Sequence, residues 1–220
     1  MHIYLYVILL FFYSSNIQSD DLAWADTHGP ISLSGEHFHY KGQVMFSYKF
    51  GHMEMDDIIN GTESLTTNEV MSSPNGASDG SGTYMNAPIS MKMDVHMLGA
   101  MYAPAEFITF MTMINYVEKE MTQQRMKMNG SARFDTNSSG FGDTKIVGLI
   151  KILNSNDWKS HIGIGLSLPT GSIDKRGNTP ASANTRLGYE MQNGTGNLEP
   201  IFSFTNINNY KKFKFGQQFT

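Results

Sequence analysis

Cysteine is absent from this chain of 220 residues, and that absence excludes disulfide frameworks, thiolate metal sites and cysteine nucleophiles. Net charge is also small, because 16 Lys and Arg stand against 20 Asp and Glu for a formal charge of −4. No basic cluster interleaved with aromatic residues offsets this mildly acidic balance. A nucleic-acid partner is therefore not expected.

Long apolar runs are missing too, with one exception. Residues 3–13 are continuously apolar, but the run is too short to cross a membrane as a helix. Its position before polar residues 14–16 predicts a secretory signal peptide over residues 1–25, cleaved after Ala25 or Ser19. The α-amino group supplies the only positive charge ahead of the run. A short membrane anchor and a mis-assigned start are therefore the alternatives.

What the sequence does contain is two-residue alternation, clearest at residues 158–171. One side of the predicted strand is apolar: Trp158, Ile162, Ile164, Leu166 and Leu168. The other side is small or polar: Lys159, His161, Gly163, Gly165 and Ser167. A strand of about ten residues is long for a soluble protein but suits a tilted strand that crosses a bilayer. We therefore predict a transmembrane β-strand, with Trp158 as an interface anchor.

The same alternation predicts seven strands, at residues 43–50, 91–102, 107–116, 143–153, 158–168, 198–205 and 211–219. The connections alternate between long and short, with the long ones at 51–90, 117–142 and 169–197. In an up-and-down sheet this rhythm puts all short turns at one end, as in outer-membrane barrels. The predicted fold class is all-β, an antiparallel up-and-down transmembrane β-barrel of about seven to eight strands over residues 26–220.

A soluble β-barrel or sandwich is the main alternative, since its strands alternate in the same way with the apolar face turned inward. The charged side chains of the polar faces favour the membrane barrel, because they suit a wet lumen. The predicted lumen-lining residues are Lys49, Lys92, His96, Thr109, Lys145, Lys151, His161 and Ser167. Such a lumen would favour anions if the path is open. His161 could line a permeation path or be a tolerated lumen residue.

The strand count raises a further question, because bacterial single-chain barrels close with an even number of strands, at least about eight. An open edge in lipid leaves backbone groups unsatisfied. Either a strand is hidden within residues 51–90 or the chain is a fragment of a longer barrel. We favour the fragment.

Several stretches resemble one family. GIGLSLPTGSI (163–173) followed by GYEMQNGTGNLE (188–199) is similar to the pairing of a Leu-Pro-Thr-Gly strand end with a Gln-x-Gly-x-Gly segment. That pairing is found in the outer-membrane barrels typified by the transporter of the phenol meta-degradation pathway. Residues 35–50, 94–111 and 139–152 look like a subgroup labelled only "transporter". The resemblance implies a β-barrel in the bacterial outer membrane, with surrounding lipid and a small solute as partners and without catalytic residues.

The 16 methionines are conspicuous because many form Met-x-Met pairs, and histidines lie nearby in the sequence. Thioether and imidazole are soft ligands that suit copper, especially Cu(I). The best predicted cluster is His52, Met53 and Met55. The alternative is that methionine fills apolar positions. By strand alternation Met93, Met97 and Met101 share the predicted lipid face.

No Gly-x-Ser-x-Gly, phosphate-loop or His-Glu-x-x-His motif is present, so an enzyme is not expected. Two hypotheses for function follow. The first is an outer-membrane barrel that lets small, hydrophobic or aromatic solutes diffuse across. The second is a surface barrel without a channel that binds copper through Met and His in its loops; no other cofactor is expected.

Overall fold

A computed structural model describes residues 35, 39–76, 82–127, 130–155, 157–210 and 213–220. The predicted signal peptide, residues 1–25, lies outside these ranges. The described strands, in chain order, are β1 (Val44–Asp56), β2 (Ile58–Asn60), β3 (Glu63–Leu65), β4 (Asn86–Ala105), β5 (Ile108–Lys127), β6 (Gly130–Phe141), β7 (Thr144–Asn154), β8 (Trp158–Leu168), β9 (Arg176–Thr179), β10 (Ser182–Arg186), β11 (Glu199–Tyr210) and β12 (Phe213–Phe219). A helix, α1, spans Thr67–Ser72, and a 3-10 turn spans Tyr189–Met191.

Seven of the described strands form an antiparallel sheet that curls into a half-barrel. Their order in the wall is β1, β4, β5, β7, β8, β11 and β12. This is also their order along the chain, and the other five strands belong to the connections between them. Short turns join β4 to β5, β7 to β8 and β11 to β12, and the long connections lie at the opposite end. The predictions of an all-β antiparallel fold, of seven wall strands and of the long-short rhythm are confirmed.

Two wall strands, β4 and β5, are much longer than the alternation predicted, and each contains 20 residues. The first part of β5 pairs with β7, and its second part pairs with β6 from Tyr116 to Lys127. Strand β6 is the strand of the main sheet that the sequence prediction missed, and it lies within 117–142 rather than within 51–90. It pairs with β5 beside the wall and does not close the half-barrel.

We call the part of the sheet beyond the β5–β7 pairing the extension (residues 51–56, 86–95, 116–127 and 130–141). The remaining part of the seven strands is the lower wall. The predicted loop 51–90 holds the β2–β3 hairpin and α1, and the loop 169–198, here called the inward loop, holds the β9–β10 hairpin.

A capping box starts α1. Thr66 N donates to Glu69 Oε2 at 2.7 Å, and Glu69 N donates to Thr66 Oγ1 at 3.3 Å. These bonds satisfy backbone donors that a helix start leaves free, and they hold the pKa of Glu69 below its usual value. The Thr-x-x-Glu pattern of residues 66–69 is thus a helix signal within the region predicted as a loop.

The two faces of the lower wall differ in a simple way. The outer face carries large, exposed apolar side chains: Phe46, Leu98, Phe110, Ile150, Ile164 and Phe202. On the inner face, Met101, Val147 and Leu149 form a buried cluster with Met45, Met111 and Ile201 packed against it. No helix among the described residues is long and apolar enough to span a membrane.

The predicted face assignment of β4 is wrong. Met101 packs with Val147 on the inner face, and its register partner Met45 lies there too. Alternation therefore places Met97 and Met93 on the inner face and the even-numbered residues on the outer face. Both faces of β4 carry apolar residues, since Leu98 and Tyr102 face outward. For that reason the alternation in the sequence of β4 does not determine which of its two faces points outward.

Candidate functional site

Six of the eight predicted lumen residues lie on the inner face. They are Lys49, Thr109, Lys145, Lys151, His161 and Ser167. Lys145 is the register partner of Ser167, and Lys151 is the register partner of His161, so two lysines of β7 flank polar side chains of β8. Thr109 and His161 are each 1% exposed, whereas Lys145 is exposed. The inner face thus carries cationic groups over a partly buried polar surface.

Lys92 and His96 lie on the outer face of β4 instead. His96 Nδ1 is 2.8 Å from the Tyr48 hydroxyl, and the His96 ring lies 5.1 Å from the ring of Phe50. Lys92 Nζ is 3.3 Å from Glu54 Oε1. The reversed face of β4 accounts for both errors.

Gly35, which precedes β1 in the chain, lies close to Leu149 on the inner face. A Cβ built on Gly35, which has φ +66°, would stand 2.6 Å from Leu149 Cδ1. Further along, His39 is buried, and Gly42 N donates to Ala103 O at 2.7 Å near the short-turn end. Gly35 therefore occupies part of the space over the concave face of the half-barrel.

At the long-loop end, Asp143 ties three segments together. Its Oδ1 accepts from Gly171 N at 2.9 Å, and its Oδ2 accepts from Thr195 N at 2.8 Å and from Thr195 Oγ1 at 3.0 Å. Asp143 is buried. Hydrogen bonds to a buried carboxylate are stronger than those between neutral groups. This side chain therefore fixes where the inward loop leaves β8 and where it returns to β11.

Two glycines, Gly171 and Gly194, allow the two ends of the inward loop to come together. A Cβ on Gly171 would stand 2.7 Å from Gly194 Cα, so that the two backbones pass in direct contact. Asn193 N and Gly194 N both donate to Ser172 O, at 3.0 and 3.2 Å. The two sequence motifs that carried the family resemblance, around Gly171 and Gly194, meet here. Their role in this structure is to fold the inward loop back over the sheet.

The inward loop is held against the inner face of the extension. Lys119 Nζ donates to Glu190 O at 2.8 Å and to Gln192 O at 2.6 Å, and burial lowers the pKa of Lys119. Beside these bonds, Met121, Leu187 and Met191 form a buried cluster against which Met91 packs. Polar anchors and apolar packing together keep the loop in place.

A cavity of about 760 Å³ lies between three parts of the long-loop end. One wall is the inner face of the extension, the second is the connection that holds β2, β3 and α1, and the third is the β9–β10 hairpin with the residues that follow it. Its apolar lining includes Ile58, Leu65, Val70, Met121, Phe134 and Leu187. Its polar lining includes Gln123, Arg125, Thr136, Arg186 and Glu190.

The predicted copper ligands are not brought together. His52 lies on the outer face with Nδ1 at 2.5 Å from Asp94 Oδ1, a bond that raises the pKa of His52. Met53 and Met55 lie on the inner face, in register with Met93 and Met91. Within the described ranges no group of three or more His, Asp or Glu side chains could hold a metal ion.

The cavity and the Asp143 anchor were both missed from the sequence. Arg125 lies in a stretch predicted as a loop, and Asp143 was assigned only to the start of a strand. The signal that could have indicated the anchor is the Gly-Asp pair at 142–143 together with Gly171 and Gly194, which permit close backbone contacts around one carboxylate.

The fold and this site define the class of the protein as an antiparallel β half-barrel with a folded loop region at one end. Comparison of the chain with family models, with curated proteins and with solved structures gives no match in any of the three. The resemblance to the outer-membrane transporter barrels therefore stays a prediction based on the quoted sequence stretches.

Proposed function

We propose that the chain forms part of a bacterial outer-membrane β-barrel through which small, hydrophobic or aromatic solutes diffuse. The observation that carries this proposal is the apolar outer face of the lower wall, where Phe46 is 72% and Phe202 is 66% exposed. Contiguous exposed apolar surface of this kind is unfavourable in water, and lipid would cover it. The resemblance to transporter barrels points to the same function.

The limits of the apolar face support a membrane band. On β1 the outer side chains change from Phe50 to His52 and Glu54, and on β5 they change from Tyr116 to Glu118. From Ile108 to Tyr116 a strand rises about 27 Å. Tilted as in known barrels, it would cover roughly 20 Å, close to the apolar band of about 25 Å.

Aromatic side chains lie at both limits of the band. At the short-turn end the exposed ones are Tyr102, Phe107, Trp158 and Tyr210. At the other limit Tyr116 and Phe141 contact edge to face, with ring centroids 5.4 Å apart. Aromatic girdles at both interfaces are typical of outer-membrane barrels.

Closure of the barrel requires strands beyond those described. In the described sheet β1 pairs with β4 alone and β12 pairs with β11 alone, so each has one free edge. Backbone groups at such edges need partners in lipid. We infer that additional strands pair with the free edges of β12 and β1 in the closed barrel.

The solute path in this proposal runs from the cavity at the long-loop end along the inner face. Lys49, Lys145 and Lys151 would favour anionic over cationic solutes there. The inward loop and Gly35 lie over the inner face and narrow this path.

Solute flux into lipid vesicles tests this function. Vesicles that contain the folded chain, alone or extended with its downstream sequence, should admit small aromatic solutes faster than empty vesicles. Conductance in planar bilayers should show the same difference. Equal rates with and without protein, for both chain lengths, would contradict passive transport.

Copper binding is the second candidate function. One observation favours it, with a set of methionine ligands that differs from the predicted cluster. Met55, Met91 and Met121 are register partners across three neighbouring strands on the inner face of the extension. Thioethers aligned in this way suit Cu(I). Stoichiometric Cu(I) binding that Met91→Leu abolishes would support this function, and unchanged binding would reject it.

A further inference from the structure

The cavity at the long-loop end combines an apolar lining with one cationic side chain, Arg125, for which the described part of the chain supplies no charged or hydrogen-bonding partner. A volume of about 760 Å³ lies within the range of small-molecule sites. Two of its lining side chains, Met121 and Leu187, belong to the buried cluster between the extension and the inward loop. The cavity therefore has a fixed apolar floor.

Arg125 stands on β5, in register with Asn86 of β4 and Ala132 of β6. Its side chain is half-buried and lines the cavity. Within the described ranges the Arg125 guanidinium makes no hydrogen bond or ion pair. A partly desolvated charge without a partner is unfavourable, and a guanidinium presents five donors that match a carboxylate in two-point fashion.

The other charged groups of the cavity already have contacts. The Arg186 guanidinium donates to Ile173 O at 3.1 and 2.7 Å. The Glu190 carboxylate interacts electrostatically with Lys119 and raises the pKa of that amine against the lowering by burial. Arg125 is therefore the group of this lining that is available to bind an anion.

We propose that this cavity binds small organic monoanions, with the ligand carboxylate paired to Arg125 and its apolar body on the Met121 and Leu187 side. This assignment deepens the proposed transport function, since it names the solute class that the long-loop end would collect. Binding itself needs neither a bilayer nor a closed path.

The test is a titration of the full, detergent-folded chain with benzoate and with benzamide, which has nearly the same shape but no charge. Benzoate should bind about tenfold more tightly, a difference of about 1.4 kcal/mol. Arg125→Met should lower benzoate affinity to that of benzamide and leave benzamide affinity unchanged. Arg125→Lys keeps the charge but loses the two parallel N–H donors of the guanidinium, and it should retain an intermediate preference for benzoate over benzamide.

Arg133→Met is the matched control, because Arg133 is an exposed residue of β6 outside the cavity lining. It should change neither affinity. Equal binding of benzoate and benzamide, full benzoate affinity in Arg125→Met, or the same loss in Arg133→Met would each overturn the assignment. Flux into vesicles is measured separately. If the chain prefers benzoate to benzamide but transports no solute, the proposed transport function is rejected and the binding site at Arg125 is supported.

Discussion

The lower wall and the extension are built from the same strands but differ in their outer faces. In the lower wall the outer face of β5 carries Phe110 and Ile114, whereas in the extension it carries Glu118 and Glu120. The inner face carries buried apolar contacts in both regions, with Met111 in the cluster of the lower wall and Met121 in the cluster of the extension. Along this continuous strand it is therefore the outer face that changes, from apolar to charged. The difference indicates that the two halves lie in different surroundings.

The largest expected effect comes from placing a charge on the outer face of the lower wall. Phe110→Lys should destabilise the lipid-inserted chain by about 2–4 kcal/mol, as charges do on the lipid face of barrels. Glu120→Lys, on the same face of β5 but in the extension, should stay within about 0.5 kcal/mol. The folded fraction in vesicles, measured by gel mobility before and after boiling, distinguishes the two. Equal losses would remove the contrast between the regions.

Removing the Asp143 carboxylate should have the next largest effect. Asp143→Ala deletes the acceptor for Gly171 N, Thr195 N and Thr195 Oγ1 and should cost about 2–3 kcal/mol. Protease should then cut the inward loop while the lower wall stays intact. Asp135→Ala, which loses one exposed bond from Thr122 Oγ1, is the control. Its protease pattern should match that of the unchanged protein.

A methyl group at the glycine contact should have a similar but smaller effect. Gly171→Ala would force the backbones at Gly171 and Gly194 apart, and we expect a loss of about 1–3 kcal/mol in thermal unfolding. Gly51→Ala has its nearest atom, Met97 Cε, at 3.7 Å and should be close to neutral. A neutral Gly171→Ala would show that the inward loop can leave the sheet at little cost.

The smallest effect concerns His52 at the base of the extension. The hydrogen bond that His52 Nδ1 donates to the Asp94 carboxylate raises the pKa of His52 above its ordinary value, so this contact stabilises the fold at low pH and is lost as pH rises through the folded pKa. An NMR titration should show that Asp94→Asn lowers the His52 pKa. An unchanged titration would mean that this pair does not form in solution.

The wall strands could be predicted because alternation with a large apolar face recurs along most of them, β4 being the exception with apolar residues on both faces. The extension could not, because residues such as Glu118, Lys119 and Glu120 give no apolar alternation, and its pairing depends on β6 and the inward loop. The face of β4 was ambiguous since Met97 and Leu98 are both apolar. Arg125 became a candidate only when three distant segments were seen around one cavity.

Lipid contact of the outer face is the central claim, and β7 offers the most direct test. Ile146 points outward and its neighbour Lys145 points inward. The chain has no cysteine, so Ile146→Cys and Lys145→Cys each carry a single site for an environment-sensitive fluorophore. In vesicles with brominated acyl chains we expect strong quenching at position 146 and little at position 145. Equal exposure of both labels to water, or stronger quenching at position 145, would contradict the account.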